Sequence, residues 1–353
     1  MDYKFLQNRK KIFLKRGVTK VVKILLLFVT LFYFNSYAQS DEIKFEMSAN
    51  KYLMGTLFEI TAIHTNIDSG KKAMYYALKE VERIENMMSN YRDSSEISYV
   101  NRNAFLKPVK VSTELFGIIE RSIAYSNKYD GYFDITVGPL TNYWGFNSDH
   151  PIKTEPDKNK IKELLEFVNY KFIKIDYTDS TVSFTKDRVE IDLGGIAKGY
   201  ALDRAVEVMR KNGVNDFLIS GGGDIYASGK KADGKKWVVG IKDPRNNENL
   251  VATMEVENTG VCTSGDYERF EIINGKRYHH IFNPKTGFPA PGSQSSTVVN
   301  DKCEEGVVLS KLLFIRGENF RNFLNGIPYY EISGDGYIML NVAMEEMIKK
   351  MKK

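Results

Sequence analysis

Residues 189–213 read VEIDLGGIAKGYALDRAVEVMRKNG, and the period of the stretch changes once. Val189, Ile191 and Leu193 alternate with Glu190 and Asp192, which predicts a strand. Gly194, Gly195 and Gly199 then surround Lys198 and break the alternation. From Tyr200 on, Ala201, Leu202, Ala205, Val208 and Met209 recur at helical spacing, and Gly213 stands where a helix C-cap glycine belongs. The expectation is strand, glycine turn, helix. Such a turn presents unsatisfied backbone N–H groups and the positive end of a helix dipole, which suits a phosphate. Lys198 adds a full positive charge and Asp192 an acceptor. The glycine spacing is too short for a Walker A loop, and the stretch is not GxGxxG. Taken alone it supports two readings, a phosphate cradle or a tight turn with a solvated lysine.

The surrounding chain has 353 residues, 42% hydrophobic and 27% charged, with a formal net charge of +5. Residues 1–38 hold eight Lys/Arg and one Asp, so the body beyond them is slightly acidic. The basic character therefore belongs to the leader, and nothing in the body points to nucleic acid. Within the leader a basic stretch, Lys4 to Lys23, precedes an apolar run, Ile24 to Phe34, that is short for a membrane span. Ser36-Tyr37-Ala38 then offers small residues for a signal peptidase. The expectation is a signal peptide over 1–38 cleaved after Ala38, a linker over 39–51 and one domain over 52–345. The exported protein would work in the periplasm or at the outer face of the cytoplasmic membrane. The competing reading is an uncleaved anchor, and membrane association would come only through it or through a membrane-bound target. The two cysteines, Cys262 and Cys303, make no disulfide framework and are read as buried thiols.

Further along, Tyr52 to His64 reads as one strand with Gly55 inside it, and Lys71 to Ser89 as a helix with a methionine-rich apolar stripe. Ser112 offers an N-cap to the helix after it. Lys128 to Phe146 is dense in aromatics and glycines without a clean period, as in a working loop or a buried irregular segment. Asp216 to Ser220 is a strand running into Gly221-Gly222-Gly223, where something must approach the backbone closely. Asn274-Gly275 predicts a tight hairpin, which places Arg269 opposite His280 and turns His279 to the other, solvated side. Glu304 to Leu313 is a helix, with Glu304 and Glu305 as a solvated first turn favoured by the dipole. Strands and helices mix without strict alternation, so the fold class is α+β, a single mixed domain.

These pieces resemble the ApbE family, the FAD:protein FMN transferases of the bacterial cell envelope. In the family's order they are Met54-Gly55-Thr56; Tyr91 with Ser95-Glu96 and Asn101; Gly131-Tyr132-Phe133-Asp134 with Gly138-Pro139-Leu140; Trp144-Gly145-Phe146; Asp192 to Gly199; Gly222-Gly223-Asp224; Thr263 to Tyr267; and His280 to Gly287. The resemblance implies that FAD binds, that Mg²⁺ bridges its pyrophosphate, and that a Ser or Thr hydroxyl on a target protein attacks the FMN phosphorus with release of AMP. It implies flavin and adenine contacts from Met54, Tyr91, Tyr132, Phe133 and Asp134, and pyrophosphate or ribose contacts from Asp192, Lys198 and Gly223. His280 falls at the family's general base and among its cofactor contacts, with Lys198 as its catalytic companion.

Two departures matter. Asn283 stands where the family most often has Asp, which keeps an acceptor and loses a charge. The family's metal is held by a backbone carbonyl, here Gly195, and by an Asp and a Thr one helical turn apart. An ungapped match places Val307 and Lys311 there. Valine cannot ligate a metal, and a lysine repels one while partly replacing its charge beside a phosphate. Glu304 and Glu305 would serve only after a register shift. Three readings stay open: an active FMN transferase with an altered metal site, an FAD-binding relic, and an FAD pyrophosphate hydrolase.

Overall fold

The structure, a computed structural model, describes residues 43–146 and 151–351. The leader and its cleavage site lie outside the described residues. One compact unit begins at Phe45. Its centre is a sheet of eight strands in the order β1 (Phe45–Leu53), β2 (Thr56–His64), β6 (Asp216–Gly221), β7 (Asp224–Ser228), β10 (Thr259–Gly265), β13 (Ser293–Asn300), β14 (Tyr329–Ser333) and β15 (Ile338–Leu340). Every neighbouring pair is antiparallel. Three small sheets flank it: β3 (Val109–Lys110), β5 (Thr181–Phe184) and β4 (Ile173–Asp176); β16 (Ile348–Met351), β9 (Asn246–Val256) and β8 (Trp237–Asp243); and the hairpin of β11 (Phe270–Ile273) with β12 (Lys276–His279).

Both faces of the main sheet are covered, which is why its strands alternate between two cores. Ile60, Ala62, Phe217, Ile219 and Val298 belong to the helix-side core, with Met74, Val81, Leu202 and Leu309. Ile63, Ala227, Val261 and Val299 belong to a second core closed by β8 and β9. The helices, in chain order, are α1 (Ile67–Met88), α2 (Glu96–Asn103), α3 (Thr113–Lys128), α4 (Gly138–Trp144), α5 (Lys158–Leu165), α6 (Ala197–Lys211), α7 (Cys303–Arg316), α8 (Glu318–Arg321) and α9 (Val342–Met347). The α+β reading holds, as do the Ser112 cap, whose side chain accepts from Leu115 N–H, and the left-handed Gly213 (φ 81°) that ends α6.

Several local expectations need correction. Residues 39–51 are not all linker, because β1 starts at Phe45 and pairs with β2 along its whole length. Phe45, Met47 and Ala49 alternate with Glu46, Ser48 and Asn50, although as an edge strand it buries only Met47 and Leu53. Tyr52 to His64 is not one strand: Met54 and Gly55, both at left-handed φ (52° and 73°), form the β1–β2 turn. The unit also continues past 345, where β16 pairs with β9. Val189 to Leu193 is extended but belongs to no sheet. Its alternation is real, since Val189, Ile191 and Leu193 are buried, but its backbone is satisfied by side chains. The Asn101 amide accepts from Ile191 N–H at 2.8 Å and donates to Ile191 O at 2.9 Å. Asn90 donates to the same carbonyl at 2.8 Å, and Asp192 N–H donates to Ile135 O at 2.7 Å.

Helices α6 and α7 cross at Gly199. A Cβ there would stand 2.7 Å from the Cys303 carbonyl carbon and 2.8 Å from Val307 Cγ2. Asp203, one turn further on, accepts from Cys303 N–H at 2.8 Å and Glu304 N–H at 3.0 Å, capping α7 from α6. Both cysteines are free buried thiols, as expected. Because backbone rather than a flexible side chain blocks the space, Gly199→Ala is expected to lose about 1–3 kcal/mol of unfolding free energy. Urea denaturation measures it, and wild-type stability in the variant would contradict the close crossing.

Candidate functional site

The crossing brings the ends of several elements together. The Gly194–Ile196 turn leads into α6, and Asp192 Oδ1 accepts from Gly194 N–H at 2.7 Å, which shapes the turn as an Asx turn. Lys198 lies in the first turn of α6. The triple glycine is a hairpin turn in which Gly222 (φ 63°) and Gly223 (φ 90°) join β6 to β7. The expected close approach is there: a Cβ on Gly222 would lie 2.9 Å from Lys198 Nζ and 3.2 Å from Thr56 Cγ2. A Cβ on Gly55 would lie 2.8 Å from Arg269 Nη2, which donates to Gly55 O at 3.2 Å. The turns carrying Met54, Gly223 and Lys198, and the Arg269 end of the hairpin, therefore meet.

His280 enters this meeting point from the hairpin. Asn274 and Gly275 take φ of 51° and 77°, and the register puts Phe270 opposite His279. His280 N–H donates to Arg269 O at 3.1 Å, and His280 Nδ1 lies 3.3 Å from the same carbonyl. A carbonyl only accepts, so this contact assigns the proton to Nδ1 and leaves the Nε2 lone pair free. Burial, reinforced by Lys311 and Lys198, holds the His280 pKa well below the ordinary histidine value. The ring is neutral at pH 7. The hairpin is seated on the aromatic stretch, whose centre is the helix α4. Trp144 is fully buried, donates from Nε1 to Gly287 O at 2.9 Å, and stacks on Tyr278 and Phe282 with centroids 5.6 and 5.7 Å apart.

His279 is not solvated. It is 5% exposed, donates from Nε2 to Ala290 O at 3.0 Å, and accepts Ile281 N–H at Nδ1. Its ring meets Phe314 edge-on at 5.3 Å. The loop after the hairpin and the end of α7 cover the side that alternation assigned to water.

Three charged groups complete the cluster. Asp224 is 4% exposed and accepts from Thr263 N–H at 3.1 Å. Burial pushes its carboxyl up to about 6, against the pull of Lys198 and Lys311. Burial lowers Lys311 to about 8, with Lys198 adding to the effect and Asp224 and Asp192 opposing it. The Lys311 stem runs over the glycine turn: a Cβ on Gly195 would lie 3.4 Å from its Cε and 3.2 Å from Phe133 Cε2. Asp224 was legible only as part of a motif, and its place between two lysines comes from long-range pairing of β7 with β10.

The remaining expected residues divide. Tyr91 exposes 57% of its surface beside Asn90, which holds Ile191. Met54 is half-buried, and Tyr132 lies under the Arg316 guanidinium at 4.6 Å. Phe133 is 4% exposed and supports the glycine turn from behind. Asp134 is spent internally: Oδ1 accepts from Thr136 N–H and Oγ1 at 2.8 and 2.6 Å, and Oδ2 from Tyr170 N–H at 2.8 Å. Asn283 keeps the acceptor role, taking Lys285 N–H at 2.9 Å. Glu304 is not solvated, since Arg121 clamps it with bonds of 2.6 and 2.9 Å, and Glu305 accepts from Asn300 at 3.3 Å.

The site's chemistry is that of an anion cradle with a base: two lysines, backbone glycine turns and a neutral imidazole. A separate open hollow of about 600 Å³, lined by Glu255, Glu257, Asp301 and Glu346 among others, shares no residue with this cluster. Its acidic lining would repel the same anion.

The burial of His279 has a stability consequence. Burial lowers its pKa from 6.5 to about 4. Between those values the unfolded chain binds a proton that the folded chain refuses, so stability falls as pH drops through this window, by up to about 3 kcal/mol. Urea denaturation at pH 7 and pH 4.5 is expected to show a smaller acid loss for His279→Gln than for the wild type. Equal losses would contradict this.

Known proteins are similar to this chain in sequence and fold. The sequence matches the ApbE family model over residues 54–330. It is 32% identical over 238 residues to the FAD:protein FMN transferase of Haemophilus influenzae, covering 66% of this chain and 69% of the relative. It is 31% identical over 291 residues to that of Treponema pallidum, covering 77% and 79%. The crystal structure of the ApbE protein from Thermotoga maritima superposes with a TM-score of 0.81 at 30% identity, over 87% of this chain and 100% of that one. Flavin transferase ApbE from Vibrio cholerae superposes with a TM-score of 0.76 at 26% identity, over 86% and 99%. The chain belongs to the ApbE family.

Proposed function

We propose that this protein transfers FMN from FAD onto a Ser or Thr hydroxyl of a target protein and releases AMP. The observation that carries the reading is the neutral His280, its Nε2 lone pair free, set against Lys198 and Lys311. In this reading the FAD pyrophosphate rests between the Gly194–Ile196 turn and the Gly222-Gly223 turn, where its charge answers the two ammonium groups. Met54, Tyr91 and Tyr132 supply walls for the flat rings. Phe133 and Asp134 act one layer back, bracing the turn and the segment before it.

The hydroxyl oxygen of the target attacks the FMN phosphorus while the bond from that phosphorus to the bridging oxygen breaks. The hydroxyl proton passes to His280 Nε2, and AMP departs with the bridging oxygen. Little covalent work falls to the protein, so positioning and charge neutralisation dominate. Export follows from the basic and apolar leader with its Ser36-Tyr37-Ala38 site, which places the reaction in the periplasm or on the outer face of the cytoplasmic membrane.

Mg²⁺ does not fit the residues present. The two side chains expected to ligate it are Val307 and Lys311, and the nearby Glu304 is held by Arg121. Among the described residues no three His, Cys, Asp or Glu side chains group in a way that could hold a metal.

The test uses purified protein, FAD and a target fragment bearing the acceptor hydroxyl, read by mass spectrometry. His280→Ala is expected to slow adduct formation by roughly 10²–10⁴-fold while FAD binding stays close to wild type. The low pKa of His280 also predicts that the acid limb of the rate profile lies below pH 6.5. Unchanged transfer by His280→Ala would remove the base assignment. Free FMN and AMP at equal rates with and without the target would favour FAD hydrolysis. Intact bound FAD with no product would leave a flavin-binding relic.

A further inference from the structure

The place of a divalent cation is filled by part of the chain. The register of α7 is fixed from three sides. Asp203 caps its first residues, and Gly199 abuts the Cys303 carbonyl. Gly306, where a Cβ would lie 2.7 Å from Cys262 Sγ, and Ser310, whose Oγ lies 3.0 Å from Ser264 Oγ, pin its inner face to β10. A slip that brought Glu304 or Glu305 to the glycine turn would break all of these. In this register the Lys311 stem lies directly over Gly195.

The carboxylates near it are already engaged. Asp192 shapes the turn through Gly194 N–H, Asp224 accepts Thr263 N–H, and Glu304 pairs with Arg121. The lysines are not. Lys311 and Lys198 are half-buried and form no ion pair within 4.0 Å among the described residues. Apart from the longer-range pull of Asp224, their ammonium groups carry positive charge that no carboxylate pairs with. Each phosphate of an FAD pyrophosphate brings one negative charge, and each lysine brings one positive charge.

We propose that the Lys311 ammonium supplies, from within the chain, the positive charge beside the FAD pyrophosphate that a bound divalent cation would otherwise supply. The inference rests on the transferase reading above. A lysine is a compact point charge with three donors, suited to a phosphate oxygen and unable to share its place with a second cation. Lys198 approaches from the Gly222 side and Lys311 from the Gly195 side, so the two bracket the anion. Lys311 can then neutralise the charge that builds on the departing AMP phosphate as the bond to the FMN phosphorus breaks.

Two readouts test this on the full chain, flavin fluorescence for FAD binding and mass spectrometry for adduct on the target fragment, each in EDTA and in Mg²⁺. Wild type is expected to bind FAD and form adduct in EDTA at rates comparable to those in Mg²⁺. Lys311→Met is expected to weaken FAD binding in EDTA by about ten-fold or more. The double variant Val307→Asp with Lys311→Thr is expected to need Mg²⁺ for both readouts. Should Lys311→Met fail to fold, Lys311→Gln and the wild-type comparison decide alone. Adduct only with Mg²⁺ in wild type, or unchanged FAD affinity on removal of the Lys311 charge, overturns the inference and leaves the transferase reading intact. FAD held in EDTA through Lys311 with no adduct upholds the charge assignment and removes the transferase reading.

Discussion

The missing side chain of Gly199 is the constraint on which the site depends. It lets the first turn of α6 rest on the Cys303 carbonyl at the start of α7, and Asp203 then caps α7 from the same helix. A larger residue would push the helices apart, and the groups they carry would no longer face one another. Lys198 and the glycine turn come from the start of α6, and Lys311 comes from the third turn of α7. The sheet supplies the other half, because the β1–β2 and β6–β7 turns end at the same level. Thr56 and Lys198 both pack against Gly222 as a result.

The electrostatics follow from that packing. Burial, reinforced by Lys311 and Lys198, makes the protonated form of the His280 imidazole unfavourable, so the ring is neutral near pH 7. Burial lowers Lys311 and raises Asp224 toward each other, to about 8 and about 6, with Lys198 adding to the first shift and opposing the second. Such a cluster is short of negative charge until an anion arrives. The pKa of His279, one residue away, is likewise depressed by burial, but its ring is sealed by Phe314 and bonded to Ala290. Neighbouring histidines thus differ in what covers each: His279 is bonded to Ala290 O, while His280 keeps its Nε2 lone pair free.

Much of this was legible locally. The Asn274-Gly275 turn set the register that puts His280 beside Arg269, because a two-residue turn with left-handed φ leaves one pairing. Helical spacing found α6, and motif order put Val307 and Lys311 where the family's metal ligands are expected. What sequence could not show depended on partners distant in the chain. The alternation of Val189 to Leu193 reported burial correctly, but the backbone partner is the amide of Asn101 rather than a strand. The alternation of Phe45, Met47 and Ala49 in edge strand β1 is short and mostly unburied, so it passed as linker, and the arrival of Ala290 and Phe314 over His279 carries no local signal. Motif membership placed Phe133 and Asp134 near the site without revealing that the ring and carboxylate point into the protein.

The most direct measurement is a crystal structure of the protein soaked with FAD in the presence of EDTA. The pyrophosphate is expected between Lys198 Nζ and Lys311 Nζ, over the glycine turns, with the FMN phosphorus toward His280 Nε2. FAD bound with its pyrophosphate away from these lysines, or with Lys311 displaced from the glycine turn, would contradict the proposed site.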